Sequence, residues 1–230
     1  MSTVDVREDA TEGVAQAVAA LRRGELVVLP TDTVYGLAAD AFSPSAVERL
    51  LVAKCRGRDM PVPVLVGAWR GLDGLAQYVT PTMRTLIEAF WPGGLTLIVR
   101  AAPSLAWDLG QTRGTVAVRM PLHAVTLAVL AETGPLAVSS ANRSGLPAAV
   151  TVEESARQLG SAIAVYLDGG SSGEPVASTI VDLTGDRPQV RRAGAVSNEE
   201  LLELLPDLML PPEQAQVPLQ EPEQAPENPS

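Results

Sequence analysis

Short runs of almost purely apolar residues recur along this chain, each ending in polar or turn-forming residues. They are residues 26–30 (LVVLP), 62–67 (VPVLVG), 95–100 (LTLIVR), 115–120 (TVAVRM), 135–140 (PLAVSS), 162–168 (AIAVYLD) and 178–183 (STIVDL), with the more polar QVRR at 189–192. Runs of this length read as strands buried within a sheet. Helical patterns lie between many of them. Residues 11–22 have apolar spacing of 3–4 with Gly24 as a stop, and Ser43-Pro44 opens a helix running to about Lys54. Thr80-Pro81 opens another that ends near Trp91, where Pro92-Gly93-Gly94 breaks it. Residues 123–132 and 152–159 are helical, and Ser197-Asn198-Glu199-Glu200 is a capping box for a last helix over 199–205. Some neighbouring strands lack an intervening helix, so the pattern predicts an α/β fold with a mixed sheet and flanking helices.

A chain of 230 residues fits one domain with an appendage. Aromatics are only 3%, so Ala, Val and Leu must build the core. The predicted domain spans residues 1–205. Residues 206–230 form an acidic tail rich in Pro, Gln and Glu, expected to be disordered beyond about Pro211. The formal charge of −10 is unevenly spread: residues 197–230 hold eight acidic side chains and no Lys or Arg. The remaining 19 acidic and 17 basic residues give a body charge of −2, which speaks against tight non-specific binding of nucleic acid. One cysteine, Cys55, allows no internal disulfide and suits a reducing compartment. The N-terminus has no apolar leader pattern and no run reaches membrane-spanning length, so the expectation is a cytoplasmic protein without a membrane contact.

Four polar segments follow strands or helices. Residues 30–37 (PTDTVYGL) place two Thr hydroxyls and Asp32 at a sharp strand exit, as a binding turn or as a turn bonded to its own backbone. Lys54-Cys55-Arg56-Gly57-Arg58 gathers three cations, with Gly57 expected to stop the helix and leave them on a loop. Cations there complement the helix dipole or bind phosphate. Lys54 is the sole lysine beside 16 arginines, and an ammonium is a compact charge for a crowded phosphate. Residues 139–145 (SSANRSG) offer hydroxyls, an amide and backbone N–H groups. Ser178–Asp182 with 191–194 (RRAG) is the fourth. Arg119, inside an apolar strand, demands an anionic ligand or a carboxylate.

Other chemistries find no support. His123 is the sole histidine and Cys55 the sole cysteine, so His-rich and Cys-rich metal sites are excluded. His123 follows Pro121 at a helix start and reads as structural. There is no GxSxG, GxGxxG or GxxxxGK[ST]. No metal-ligand cage is expected; Mg²⁺ would enter only as the companion of nucleotide phosphates.

In this order, PTDTVYGL, K-x-R at 54–56, TVAVR, SSANRSG, STIVD and R-x-G-A at 192–195 resemble the YrdC/TsaC family of threonylcarbamoyl-AMP synthases. The resemblance runs from about residue 13 to 196, in the short single-domain form. It implies that the mixed sheet is twisted and carries a concave active-site pocket. It also implies a nucleotidyltransferase that converts ATP, L-threonine and bicarbonate to threonylcarbamoyl-AMP and pyrophosphate. Transfer proteins would then carry the group to tRNA, with at most a weak tRNA contact by this chain. On the resemblance, Thr33, Arg119 and Ser178 would hold threonine, and Lys54 and Arg56 the ATP phosphates as the catalytic cations. Thr115, Ser140, Asn142, Arg192 and the main chain near Val138 would line the nucleotide side. Gly57, Ala148-Ala149, Ala193 and Leu65 depart from the family's common pattern. The alternatives are a non-catalytic double-stranded RNA or tRNA-binding module of this fold, and a carbamoyl-adenylate domain; the latter lacks its usual zinc fingers and acylphosphatase segment here.

Overall fold

The computed structural model describes residues 1–174 and 176–211 and resolves the apolar runs into one ten-stranded mixed sheet. In chain order the elements are β1 (Ser2–Asp5), α1 (Thr11–Arg22), β2 (Val27–Leu29), β3 (Gly36–Asp40), α2 (Pro44–Lys54), β4 (Val64–Leu65), α3 (Gly71–Leu75) and α4 (Pro81–Phe90). There follow β5 (Leu95–Arg100), β6 (Thr115–Arg119), α5 (Ala124–Thr133), β7 (Leu136–Ser140), α6 (Val152–Leu159), β8 (Val165–Asp168), β9 (Thr179–Asp182), β10 (Gln189–Arg192) and α7 (Asn198–Leu204). The strand order is β1-β8-β2-β3-β7-β4-β6-β5-β9-β10. Parallel pairing joins β1 to β8, β8 to β2, β4 to β6 and β5 to β9; the other neighbours are antiparallel.

The capping chemistry works as the sequence predicts. Ser43, Thr80 and Ser197 each accept a backbone N–H three residues on, so the first turns of α2, α4 and α7 have satisfied donors. Gly24 adopts φ +74° just past α1, a left-handed turn that glycine enters without steric cost. α2 runs to Lys54 as expected, but its stop is not where Gly57 suggested. Lys54 is still helical, and Cys55 at φ 52°, not Gly57, ends the helix.

Three elements were not expected. In β3 (GLAAD) small residues give little strand signal, yet the segment lies fully inside the sheet between β2 and β7. Burial there overrides propensity. β1 is a short edge strand, and α3 is a single short helix.

Alternating side chains divide the interior into two cores. The larger one takes Leu37, Val64, Leu95, Leu97, Val99, Val116, Val118 and Val181 from the strands and Leu50, Leu86, Ile87 and Leu201 from α2, α4 and α7. The second lies on the opposite face, under α1 and α5, and reaches β1, β8, β2, β3, β7 and the edge of β4. Beyond β4 this second face has no such cover. Thr115 and Ala117 of β6, Ile98 of β5, and Ile180 and Asp182 of β9 stay half-buried, and none joins either core.

The body also continues past the expected boundary at residue 205. Leu208 is buried, and Met209 bridges Gln189 at the end of β10. The expected disorder beyond Pro211 lies outside the described residues. Among the described residues no helix is long and apolar enough to cross a membrane.

Candidate active site

The half-covered face of the sheet is where the polar segments meet. Arg119 closes β6, and its register with Leu65 continues to Leu136 of β7. Thr115, at the start of β6, and Ser140, at the end of β7, lie on the strands either side of β4, with Thr115 about 13 Å from Arg119 along the strand. A trough with two ends results.

At one end the 31–33 turn forms a wall. Arg119 Nη1 donates to Thr33 Oγ1 at 2.8 Å, Nη2 to Asp32 Oδ1 at 2.6 Å, and Nε to the Gly93 carbonyl at 2.9 Å. Thr33 Oγ1 also lies 3.1 Å from Thr31 Oγ1, and Asp32 Oδ1 accepts the Leu122 N–H. The sequence demanded a carboxylate or ligand for Arg119; Asp32 is that carboxylate, with only 8% of the Arg119 side chain and 16% of the Asp32 side chain exposed. Three of the five guanidinium N–H groups are committed, leaving one on each terminal nitrogen.

Ser178 closes the opposite wall. Its Oγ lies 2.8 Å from Thr96 Oγ1, and Arg192 donates from Nη2 to that Oγ at 3.0 Å and from Nε and Nη2 to the Ser178 carbonyl. Thr96 escaped the sequence reading, although its signal is the one that marked Arg119: a polar side chain in an apolar strand, opposite in phase to Leu95 and Leu97. Gly194 makes the Arg192 contact possible. A Cβ there would sit 2.2 Å from the Ala177 carbonyl oxygen and 2.8 Å from the Thr179 nitrogen, both backbone atoms. Gly194→Ala is therefore expected to lower the thermal midpoint by about 3–10 °C. Pyrophosphate release should fall at least tenfold as Arg192 leaves Ser178. Gly185→Ala, whose nearest neighbour is at 3.8 Å, is the control that should change neither.

The far end is built by α2 and the 139–146 loop. Lys54, 2% exposed, donates from Nζ to the Ser140 carbonyl and, at 2.6 Å, to the Asn142 carbonyl, with Asn142 Oδ1 at 3.5 Å. Ser144 N–H returns a bond to the Lys54 carbonyl at 2.8 Å. Lys54 thus lies under the loop, not on an exposed one. Asn142 turns its amide inward, donating to the carbonyls of Arg143 and Leu146. Arg56 Nη1 donates to Ser139 Oγ at 3.1 Å, while Nε and Nη2 hold the Met60 and Pro61 carbonyls. Thr115 Oγ1 donates to Thr112 O, and the Ser140 hydroxyl has no partner among the described residues. Val138 stands mid-strand, buried, with its N–H given to the Pro63 carbonyl.

Electrostatics ties the two ends together. Burial, then the neighbouring Arg56, push Lys54 down to about 8. Arg56 is itself lowered, first by burial and then by Arg192, with Asp59 opposing. Arg119 is lowered by burial and by Arg192, with Asp32 opposing. Arg192, though solvent-exposed overall, is desolvated enough to lie below its ordinary value. Beyond burial, repulsion links Lys54 to Arg56, Arg56 to Arg192 and Arg192 to Arg119, and an anion in the trough relieves it.

His123 stands just before α5, with Nδ1 buried and without a hydrogen-bond partner among the described residues; burial lowers its pKa and Asp32 opposes. Among the described residues no three His, Cys, Asp or Glu side chains cluster to hold a metal ion. A separate cavity of about 250 Å³, lined by Trp69, Leu72, Ile87 and Trp91 among others, contains none of the residues above.

Comparison with known proteins identifies the family and the fold. The family model described as "Telomere recombination", Sua5/YciO/YrdC, matches residues 19–194. A Mycobacterium tuberculosis protein, provisionally named a threonylcarbamoyl-AMP synthase, is 56% identical over 198 residues, covering 86% of this chain and 91% of its own. The threonylcarbamoyl-AMP synthase of Bacillus subtilis is 39% identical over 204 residues, covering 86% of this chain. The crystal structure of Pyrococcus abyssi Sua5 complexed with L-threonine superimposes with a TM-score of 0.88 at 32% identity, over 92% of this chain. This chain spans 59% of the Bacillus protein and 63% of the Pyrococcus one. From the ordered motifs, the mixed sheet and these matches together, the chain belongs to the Sua5/YciO/YrdC family.

Proposed function

We propose that this chain is an L-threonylcarbamoyladenylate synthase, a nucleotidyltransferase that converts ATP, L-threonine and bicarbonate to threonylcarbamoyl-AMP, pyrophosphate and water. The observation that carries the reading is the run of buried or half-buried cations, Lys54 beside Arg56, Arg56 beside Arg192 and Arg192 beside Arg119, along a hydroxyl-lined trough, with Asp32 and Asp59 as the opposing carboxylates. The relatives' names and the threonine held by Pyrococcus Sua5 support the same assignment.

The threonine amino group first adds to the carbon of the bicarbonate-derived CO₂ and loses a proton, giving a carbamate. One carbamate oxygen then attacks the α-phosphorus of ATP, and the bond to the bridging oxygen breaks with its electrons leaving on pyrophosphate. Two anions must approach each other, so the work is positioning and charge neutralisation. Arg119, Thr33 and Ser178 hold threonine at one end. Arg56, Arg192 and the loop fixed by Lys54 receive the phosphates, with Thr115, Ser140 and Asn142 toward the nucleoside. Mg²⁺ would come with the triphosphate as its companion. Transfer proteins acting in the cytoplasm then pass the threonylcarbamoyl group to tRNA.

The test is pyrophosphate release from ATP with threonine and bicarbonate, each omitted in turn. Release is expected only with all three. Release that ignores threonine, or RNA binding without any release, overturns the assignment.

A further inference from the structure

Asp32 has a use that the Arg119 pairing leaves open. Its Oδ1 accepts both Arg119 Nη2 and the Leu122 N–H, whereas Oδ2 has no hydrogen-bond partner among the described residues. The side chain is 16% exposed and stands one residue from Thr33 on the wall of the trough. A carboxylate needed only to neutralise Arg119 could turn both oxygens to it; this one meets the guanidinium with a single oxygen.

We infer that Asp32 Oδ2 is the acceptor for the α-amino group of the amino-acid substrate, an assignment that rests on reading this end of the trough as the threonine site. A free amino acid carries its ammonium nitrogen and a carboxylate oxygen about 3 Å apart, set by bond lengths and angles. Arg119 and Asp32 present the complementary charges 2.6 Å apart, plus beside minus. The remaining N–H groups of Arg119 take the carboxylate while Oδ2 takes the ammonium, so the pair recognises the zwitterion as a unit. An N–H survives when the amine is carboxylated, so the same contact holds the carbamate. The ion pair then selects amino acids over hydroxy acids of equal shape, which offer Oδ2 a neutral O–H in place of the charge-assisted N–H of the ammonium.

Asp32→Asn separates this role from support of Arg119, because the amide oxygen can keep both Oδ1 bonds while an NH₂ donor replaces Oδ2. Calorimetric titration of wild type and variant with L-threonine and with 2,3-dihydroxybutanoate, its amine-free analogue, reads the difference. Wild type should prefer threonine at least tenfold; Asn should lose threonine affinity at least tenfold and hold the analogue within twofold. Equal losses for both ligands, or an unchanged threonine affinity, overturn the inference while leaving the enzyme assignment intact. If the variant fails to fold, the wild-type preference alone decides, and absence of preference overturns it. Wild type that neither binds threonine nor releases pyrophosphate sinks the functional reading itself.

Discussion

Replacing Lys54 by Met should reduce pyrophosphate release at least 100-fold and lower the thermal midpoint by about 5–15 °C. The thioether keeps most of the buried stem but removes the ammonium. Two backbone carbonyls, at Ser140 and Asn142, then lie under the 139–146 loop without the donor that holds them. Each orphaned acceptor costs about 1–3 kcal/mol, and each kcal/mol is about 2–4 °C for a domain of this size. Arg56→Ala should behave differently. Arg56 is half-buried and its partners lie near the surface, so the fold should persist while turnover falls. A Lys54→Met protein of undiminished stability would mean that the ammonium does not hold the loop.

The pH dependence of stability gives the same residue a second test. Burial and Arg56 bring Lys54 from 10.5 to about 8, so between those values it is neutral in the folded chain and charged in the unfolded one. The unfolded state then binds the extra proton, and this group's contribution raises stability as pH climbs through that window, by at most about 3 kcal/mol. In urea unfolding, the margin of wild type over Lys54→Met should widen from pH 7 to 10. A margin that shrinks would mean that the three oxygen acceptors outweigh desolvation.

Arg119→Ala should raise the KM for threonine more than 100-fold and leave the KM for ATP within a few-fold. The substitution strands the Asp32 carboxylate, the Thr33 hydroxyl and the Gly93 carbonyl at once. Removing one member of a buried ion pair costs about 3–5 kcal/mol, so the variant should also melt early. Arg119→Lys restores the charge but not the planar fork that serves three acceptors. It should recover part of the stability and little of the threonine affinity. A variant whose ATP KM rises while threonine KM stays put would move Arg119 to the nucleotide end.

Much of this site could be read from residue types alone. Lone polar side chains in apolar strands, such as Arg119, announce a buried partner, and cap-plus-proline pairs locate helix starts such as Pro44 and Pro81. What escaped depends on distance along the chain. Asp32 and Arg119 are 87 residues apart, and only the fold-back of the 31–33 turn onto the sheet joins them. Lys54 read as a cation on an open loop, free to meet phosphate, because a helix end offers no hint of a loop from residues 140–144 settling over it. β3 escaped for a different reason: Gly36, Ala38 and Ala39 carry no strand signal until β2 and β7 pack on both sides.

Because β5, β6 and β9 pack against helices on one side only, their backbone amides should form the least protected part of the sheet in the empty protein. Local opening there breaks few apolar contacts on the bare side, so hydrogen exchange should be faster in these strands than in β2, β3 and β7. Under the proposed function, substrate in the trough would supply the missing layer. Binding and folding of this half of the molecule are therefore one equilibrium, and the occupied enzyme should exchange as a single cooperative unit.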